Sequence, residues 1–191
     1  MGDSEILVLG GDTSPERSAR LVERRPGRLL RLLIGHTSRP QVQGNLYWPL
    51  DLAVATAEVK LALRSFRTVA VPIARDAVTG QHGIVDQPLI ERKPWAAPHE
   101  ELVAGVVVGD DEEWWEFGRN QVVRRFRPTQ IHNLRFEEQQ RVYLPYHLVR
   151  AGDTAFLVDR MTGNLDRLHH HRSVQMVSGY PLVGVAHGGD E

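Results

Sequence analysis

One pattern occurs twice along the 191 residues, and it limits the possible folds more than any other feature. The first copy reads Leu46-Tyr47-Trp48-Pro49-Leu50-Asp51-Leu52, then Ile73-Ala74-Arg75-Asp76-Ala77-Val78-Thr79-Gly80. The second reads Val142-Tyr143-Leu144-Pro145-Tyr146-His147-Leu148, then Leu157-Val158-Asp159-Arg160-Met161-Thr162-Gly163. Each has a Tyr-x-Pro element followed by Asp-x-x-Thr-Gly. The spacing differs: 27 positions separate Pro49 from Asp76, and 14 separate Pro145 from Asp159. A longer hairpin tip in the first copy accounts for that difference without disturbing a core.

The second copy is the easier to read. Tyr143 to Arg150 is an aromatic and aliphatic run, Ala151-Gly152-Asp153 signals a turn, and Thr154 to Asp159 is the returning strand. Asp-x-x-Thr-Gly then makes a second reversal. The Asp76 and Asp159 carboxylates can accept backbone N–H groups two or three residues on, and the Thr79 and Thr162 hydroxyls can close the turn. Gly80 and Gly163 supply the positive φ. Proline cannot donate to a ladder, so each Tyr-x-Pro strand is expected to begin there, lie at an edge, or carry a bulge.

Helical signals precede each copy. Ser14-Pro15-Glu16 combines an N-cap, a first-turn proline and an acid, and that helix is expected to run to about Arg25, before Pro26. A second helix starts at Asp110 or Asp111. Its acids (Glu112, Glu113, Glu116) lie early and its arginines (Arg119, Arg124, Arg125) late, in the sense that opposes the helix dipole. Trp114, Phe117, Val122 and Phe126 give it an apolar set, Gly118 weakens its middle, and Pro128 ends it. Residues 52–66 suit either an alanine-rich helix or a hairpin arm, and the second copy favours the strand. The expected fold class is therefore α+β: two similar units, 1–93 and 94–191, each an antiparallel β-sheet packed with one helix and joined at 94–98.

Tyr143 to Leu168 resembles the strand–turn–strand core of PepSY-type domains, small α+β modules in which an antiparallel sheet packs on a helix. The resemblance covers about 25 residues per copy and implies a non-catalytic interaction or regulatory module. The opening phrase, Ile6 to Arg17, is similar to the N-terminal strand–loop–helix of D-alanine–D-alanine ligases. That similarity implies an anion or nucleotide cradle at Gly10–Glu16. Ser18-Ala19-Arg20 departs from that family's continuation, and no ATP-grasp domain is recognisable in the remainder.

Composition narrows the function classes. There are 23 Lys+Arg against 24 Asp+Glu, so no global positive field exists to hold nucleic acid. With no cysteine, disulfides, thiol nucleophiles and cysteine-ligated zinc are excluded. The longest apolar run, Leu102 to Gly109, is far short of the ~20 residues that span a bilayer. The start also lacks the pattern of a signal peptide. A soluble, cytoplasmic protein with no membrane span is expected.

The candidate chemistry is sparse. In His169-His170-His171, alternate side chains on a strand share a face, so His169 and His171 are weak metal candidates with Asp166 near by. His147 could approach Asp159 across the hairpin as a base. No cofactor is implied and no catalytic residue is assigned. Residues 17–39 hold seven arginines against Glu23, so Arg24, Arg25, Arg28 and Arg31 are candidate contacts for an acidic partner. At least one of Trp114 and Trp115 should leave the core face of its helix, either as an exposed interface anchor or buried in a groove between the two halves. The expected function is a non-enzymatic protein-interaction or assembly module, with a protein partner or a homo-oligomer. The alternatives are a small ligand- or metal-binding enzyme using His147 and His169–His171, and anion binding at Gly10–Glu16.

Overall fold

The computed structural model describes residues 5–25, 39–62, 65–86, 89–96, 99–105, 111–167 and 176–177. Among them run β1 (Glu5–Leu9), α1 (Pro15–Glu23), β2 (Gln41–Lys60), β3 (Phe66–Asp76), β4 (His82–Ile84), β5 (Ile90–Pro94) and β6 (Glu100–Val103). They continue with α2 (Asp111–Phe126), β7 (Gln130–Ala151), β8 (Thr154–Asp159), β9 (Leu165–Arg167) and β10 (Met176–Val177).

The fold class differs from the α+β expectation. The described chain is 57% strand and 18% helix, with one large mixed sheet and only two helices, not two units each with its own sheet and helix. Hydrogen bonds order the strands β10-β6-β2-β7-β1-β5, with β3 and β4 continuing from β2, and β8 and β9 from β7. The cause lies in parallel pairing. Val8 pairs with Tyr143, and Leu102 with Tyr47, both in parallel registers. A parallel neighbour needs a long crossover and cannot come from a hairpin, so local periodicity carries no sign of it.

Residues 52–60 are extended within β2, which pairs with β3 from Lys60↔Phe66 to Leu50↔Asp76. The extra length of the first copy is thus mostly added ladder, since β7 pairs with β8 only from Ala151↔Thr154 to Tyr146↔Asp159. Pro49 and Pro145 lie inside β2 and β7 and do not start them. Pro49 falls between the parallel register with β6, ending at Tyr47, and the antiparallel register with β3, beginning at Leu50. A missing N–H is cheap where the strand changes neighbour.

The chain divides into two compact units, and neither is a half of the sequence. The first takes the described residues of Met1–Trp48, Leu89–Ala104 and Tyr143–Glu191, and the second those of Pro49–Pro88 and Gly105–Val142. In the first unit, Ile6, Val8, Tyr47, Leu102 and Tyr143 form one buried cluster. Helix α1 buries Val22 against Val149, Phe156 and Val158 in another. Ser14 caps α1 by accepting the Arg17 N–H at 3.3 Å, and Pro15 occupies its first turn.

In the second unit, the row Ala53, Ala55, Ala57 and Val59 meets Val69, Val71, Ile73, Trp114 and Val122. Each fully buried valine or isoleucine contributes about 1.5–3 kcal/mol. Gly118, unfavourable by helix propensity alone, is required by packing. A Cβ there would lie 2.7 Å from the Phe136 ring and 3.3 Å from Ala55. The small side chains let α2 approach its sheet closely.

Candidate functional site

The two Asp-x-x-Thr-Gly segments make turns of the same kind. The Asp76 Oδ1 accepts the Val78 and Thr79 N–H groups at 2.8 and 3.0 Å, and the Gly80 N–H reaches the Asp76 carbonyl at 2.8 Å. The Asp159 Oδ1 accepts the Met161 N–H at 2.7 Å, its Oδ2 accepts the Thr162 hydroxyl at 2.6 Å, and the Gly163 N–H reaches the Asp159 carbonyl at 2.8 Å. The hydroxyls of Thr79 and Thr162 accept the N–H groups of Gln81 and Asn164. Gly80 and Gly163 hold φ of 75° and 76°. After each aspartate, the next N–H bonds a proline carbonyl: Ala77 to Pro49 at 3.1 Å, Arg160 to Pro145 at 3.0 Å. The six turn residues therefore bend backbone.

Close to these turns the chain buries polar groups. In the first unit the Ser18 hydroxyl and His147 Nδ1 share a 2.8 Å hydrogen bond, with Ser18 0% and His147 3% exposed. Burial, followed by the positive charges of Arg160 and Lys93, pushes the imidazole down to about 4 against a weaker opposing pull from Glu16, so it is neutral at pH 7. Asp159 is not its partner, since that carboxylate bonds Met161 and Thr162. The Arg160 guanidinium donates to the Gly11 carbonyl at 3.3 Å, and a Cβ on Gly11 would lie 2.9 Å from the Arg160 backbone. The N–H groups of Gly10 and Thr13 are committed to the carbonyls of Leu89 and Arg160. Much of the N-terminal loop thus packs against the second turn.

A second cluster in that unit centres on buried Glu100. Its carboxylate accepts from Asn45 at 3.2 Å, the Tyr47 hydroxyl at 2.9 Å, the Ala96 N–H at 2.9 Å and Lys93 at 3.3 Å. Burial opposes the charge, but the Ala96, Tyr47 and Lys93 donors outweigh it and hold the carboxyl below its ordinary range. Burial and the adjacent Glu100 charge push the Tyr47 hydroxyl well above its usual range, so it stays a donor.

The second unit holds an ionic cluster. Asp51 accepts from Arg141 Nε at 2.7 Å and Arg75 Nη2 at 3.3 Å, while Arg75 Nη1 lies 3.9 Å from Asp111. The Arg75 guanidinium sits 5.3 Å over the Trp114 ring. His82 stacks on Trp114 and Phe117, and burial together with Arg75 lowers its proton affinity against the pull of Glu113.

The surface candidates separate clearly. Trp114 is 6% exposed and belongs to the core, whereas its neighbour Trp115 is 43% exposed, as is Val123 at 40%. Arg24 is exposed, and Arg25 is half-buried with its guanidinium 5.1 Å over the Phe156 ring. Arg28, Arg31, His169 and His171 lie outside the described residues. Among the described residues no three His, Asp or Glu side chains gather where a metal ion could sit, and no helix is long and apolar enough to cross a membrane.

Comparison with family models, curated proteins and solved structures found no match. Function must therefore be read from the groups themselves. Sequence reasoning missed Ser18, Glu100 and the Asp51–Arg75–Arg141 cluster. Ser18 had a signal, because it stands four residues before Val22 and so shares the core face of α1. The others had none, because Asp51 lies 24 and 90 positions from Arg75 and Arg141, and Glu100 lies 53 and 55 positions from Tyr47 and Asn45.

Proposed function

We propose that this chain is a non-enzymatic assembly module that pairs with a second copy of itself through the exposed side of α2, with Trp115 as the anchor. The observation that carries this reading is the 43% exposure of Trp115 directly beside buried Trp114, with Val123 40% exposed on the same helix. Trp115, Arg119 and Val123 recur every four residues, so they run along one side of the helix. Large aromatics and arginines of this kind dominate interface energetics, and a lone solvated tryptophan gains most from being covered.

Charge favours a second copy. The first turn of α2 is acidic (Asp111, Glu112, Glu113) and its last turn basic (Arg124, Arg125). Two such helices brought together antiparallel set each acidic end against a basic one, which is the self-complementarity a two-fold interface needs. The buried chemistry supports the non-enzymatic half of the reading. Ser18 and His147 are sealed from solvent and bonded to each other, whereas a nucleophile and base must reach a substrate.

Light scattering over a concentration series tests the proposal. The wild type is expected to dimerise, and Trp115→Ser to weaken association about 30-fold or more, equivalent to about 2 kcal/mol. Because Trp115 is off the core, the melting point of the dilute variant should match that of the dilute wild type. A wild type monomeric up to millimolar concentration would overturn the reading.

A further inference from the structure

The pairings within each unit cross the midpoint of the sequence in a regular way. In the first unit, β1 from the N-terminal half lies parallel to β7 from the C-terminal half, and β6 from the C-terminal half lies parallel to β2 from the N-terminal half. The residues at these contacts, Tyr143 and Tyr47, are the tyrosines of the two Tyr-x-Pro elements. Helix α1, from the N-terminal half, packs Leu21 and Val22 on Val149, Phe156 and Val158 of the C-terminal half, and bonds His147 through Ser18. In the second unit the debt runs the other way. Helix α2, from the C-terminal half, packs Trp114 and Val122 on the alanine row of β2 and on Val69, Val71 and Ile73 of β3.

What each half keeps is local and matches its counterpart in register. Leu50↔Asp76 corresponds to Tyr146↔Asp159, and Arg75↔His82 to Val158↔Leu165. The final strand of each half returns antiparallel to its first, β5 on β1 and β10 on β6. We propose that the described residues of 1–93 and of 94–191 follow one structural plan and have exchanged helix and parallel strand, so that each half is the other's obligate binding partner and neither folds alone. A separated N-terminal half would leave the row Ala53, Ala55, Ala57 and Val59 without its helix. A separated C-terminal half would leave Phe156 and Val158 bare in the same way. Exposed faces of that kind do not persist on a stable monomer, and short helices without a packing partner are marginal in water.

A protease site inserted between Ala97 and Pro98 of the full chain tests this. After native cleavage the two fragments should elute as one particle of unchanged mass. Once parted in denaturant, each refolded alone should lack near-ultraviolet circular dichroism, and 1:1 mixing should restore it. Cleaved fragments that separate in native buffer as two folded particles would overturn the proposal. Amide exchange on the otherwise unmodified chain gives a second reading that does not depend on the insertion. Val22→Ala should accelerate exchange at Phe156 and Val158 about tenfold or more while leaving Val71 and Ile73 within about twofold, and Val122→Ala should do the reverse. Acceleration confined to the half that carries the substitution would equally overturn it.

Discussion

At the hairpin that ends in Asp76, the residue two past the proline is Asp51, held by two arginines at 2.7 and 3.3 Å. At the hairpin that ends in Asp159, that position is His147, held by one serine at 2.8 Å. The register around the two is the same, with Leu50 opposite Asp76 and Tyr146 opposite Asp159. The residue before the aspartate differs in step: Arg75 in one, Val158 in the other. One backbone plan thus accommodates two solutions for a polar side chain at one position, half-buried Asp51 and buried His147. It can be charged, provided that counter-ions converge on it, or it can be neutral, provided that burial and nearby cations keep it so. Both arrangements tie a helix or strand to a neighbour.

The comparison breaks most visibly at Asp51. Asp51→Ala leaves Arg75, which is mostly buried, without its nearest counter-charge, and the expected loss is about 3 kcal/mol. The shift of the urea midpoint measures it. A loss below about 1 kcal/mol would mean that the cluster is held by packing and not by charge.

His147 gives the next largest effect and one of different character. Burial holds its folded pKa at about 4, against 6.5 for an exposed histidine. Below pH 6.5 the unfolded chain therefore binds more protons than the folded one. The stability that the neutral imidazole contributes is complete above pH 6.5 and is lost as the pH falls to about 4. The loss amounts to about 3 kcal/mol at most. Denaturation curves at pH 7 and pH 4.5 on the wild type and His147→Gln check this, since the substitution should flatten the pH dependence. An equally steep loss in the variant would assign the acid sensitivity to other groups.

The smallest effect is the sharpest test of likeness. Gly80→Ala and Gly163→Ala each place a side chain at a φ near 75°, at an expected cost of about 1–2 kcal/mol. Equivalent turns should lose the same amount to within about 0.5 kcal/mol, measured by thermal unfolding. A clear inequality would show that the surroundings, and not the turn itself, set the requirement for glycine.

Much of the local structure was legible. Apart from the bonds that Ala77 and Arg160 send to Pro49 and Pro145, the bonds of each Asp-x-x-Thr-Gly turn connect residues no more than five apart, so composition and spacing carry most of the necessary information. The same holds for the Ser14 cap and the Pro15 start of α1. The prolines of Tyr-x-Pro were harder, because their place inside β2 and β7 depends on where a strand changes neighbour. By propensity Gly118 weakens α2, but Ala55 and Phe136 occupy the space that a side chain there would need. The fold class was misread because hairpin signals predict antiparallel neighbours only.

The sequence by itself determined where this chain bends, where the two described helices start, and that its two halves carry one phrase in one order. Tertiary structure alone decided which helix lies on which hairpin, and which strands lie parallel. Those choices join residues as far apart as Val8 and Tyr143, 135 positions. They rest on burial, which rewards any apolar contact and names no partner. Local chemistry fixes conformation over a few residues, whereas the pairing of distant surfaces is settled only when the whole chain competes for them.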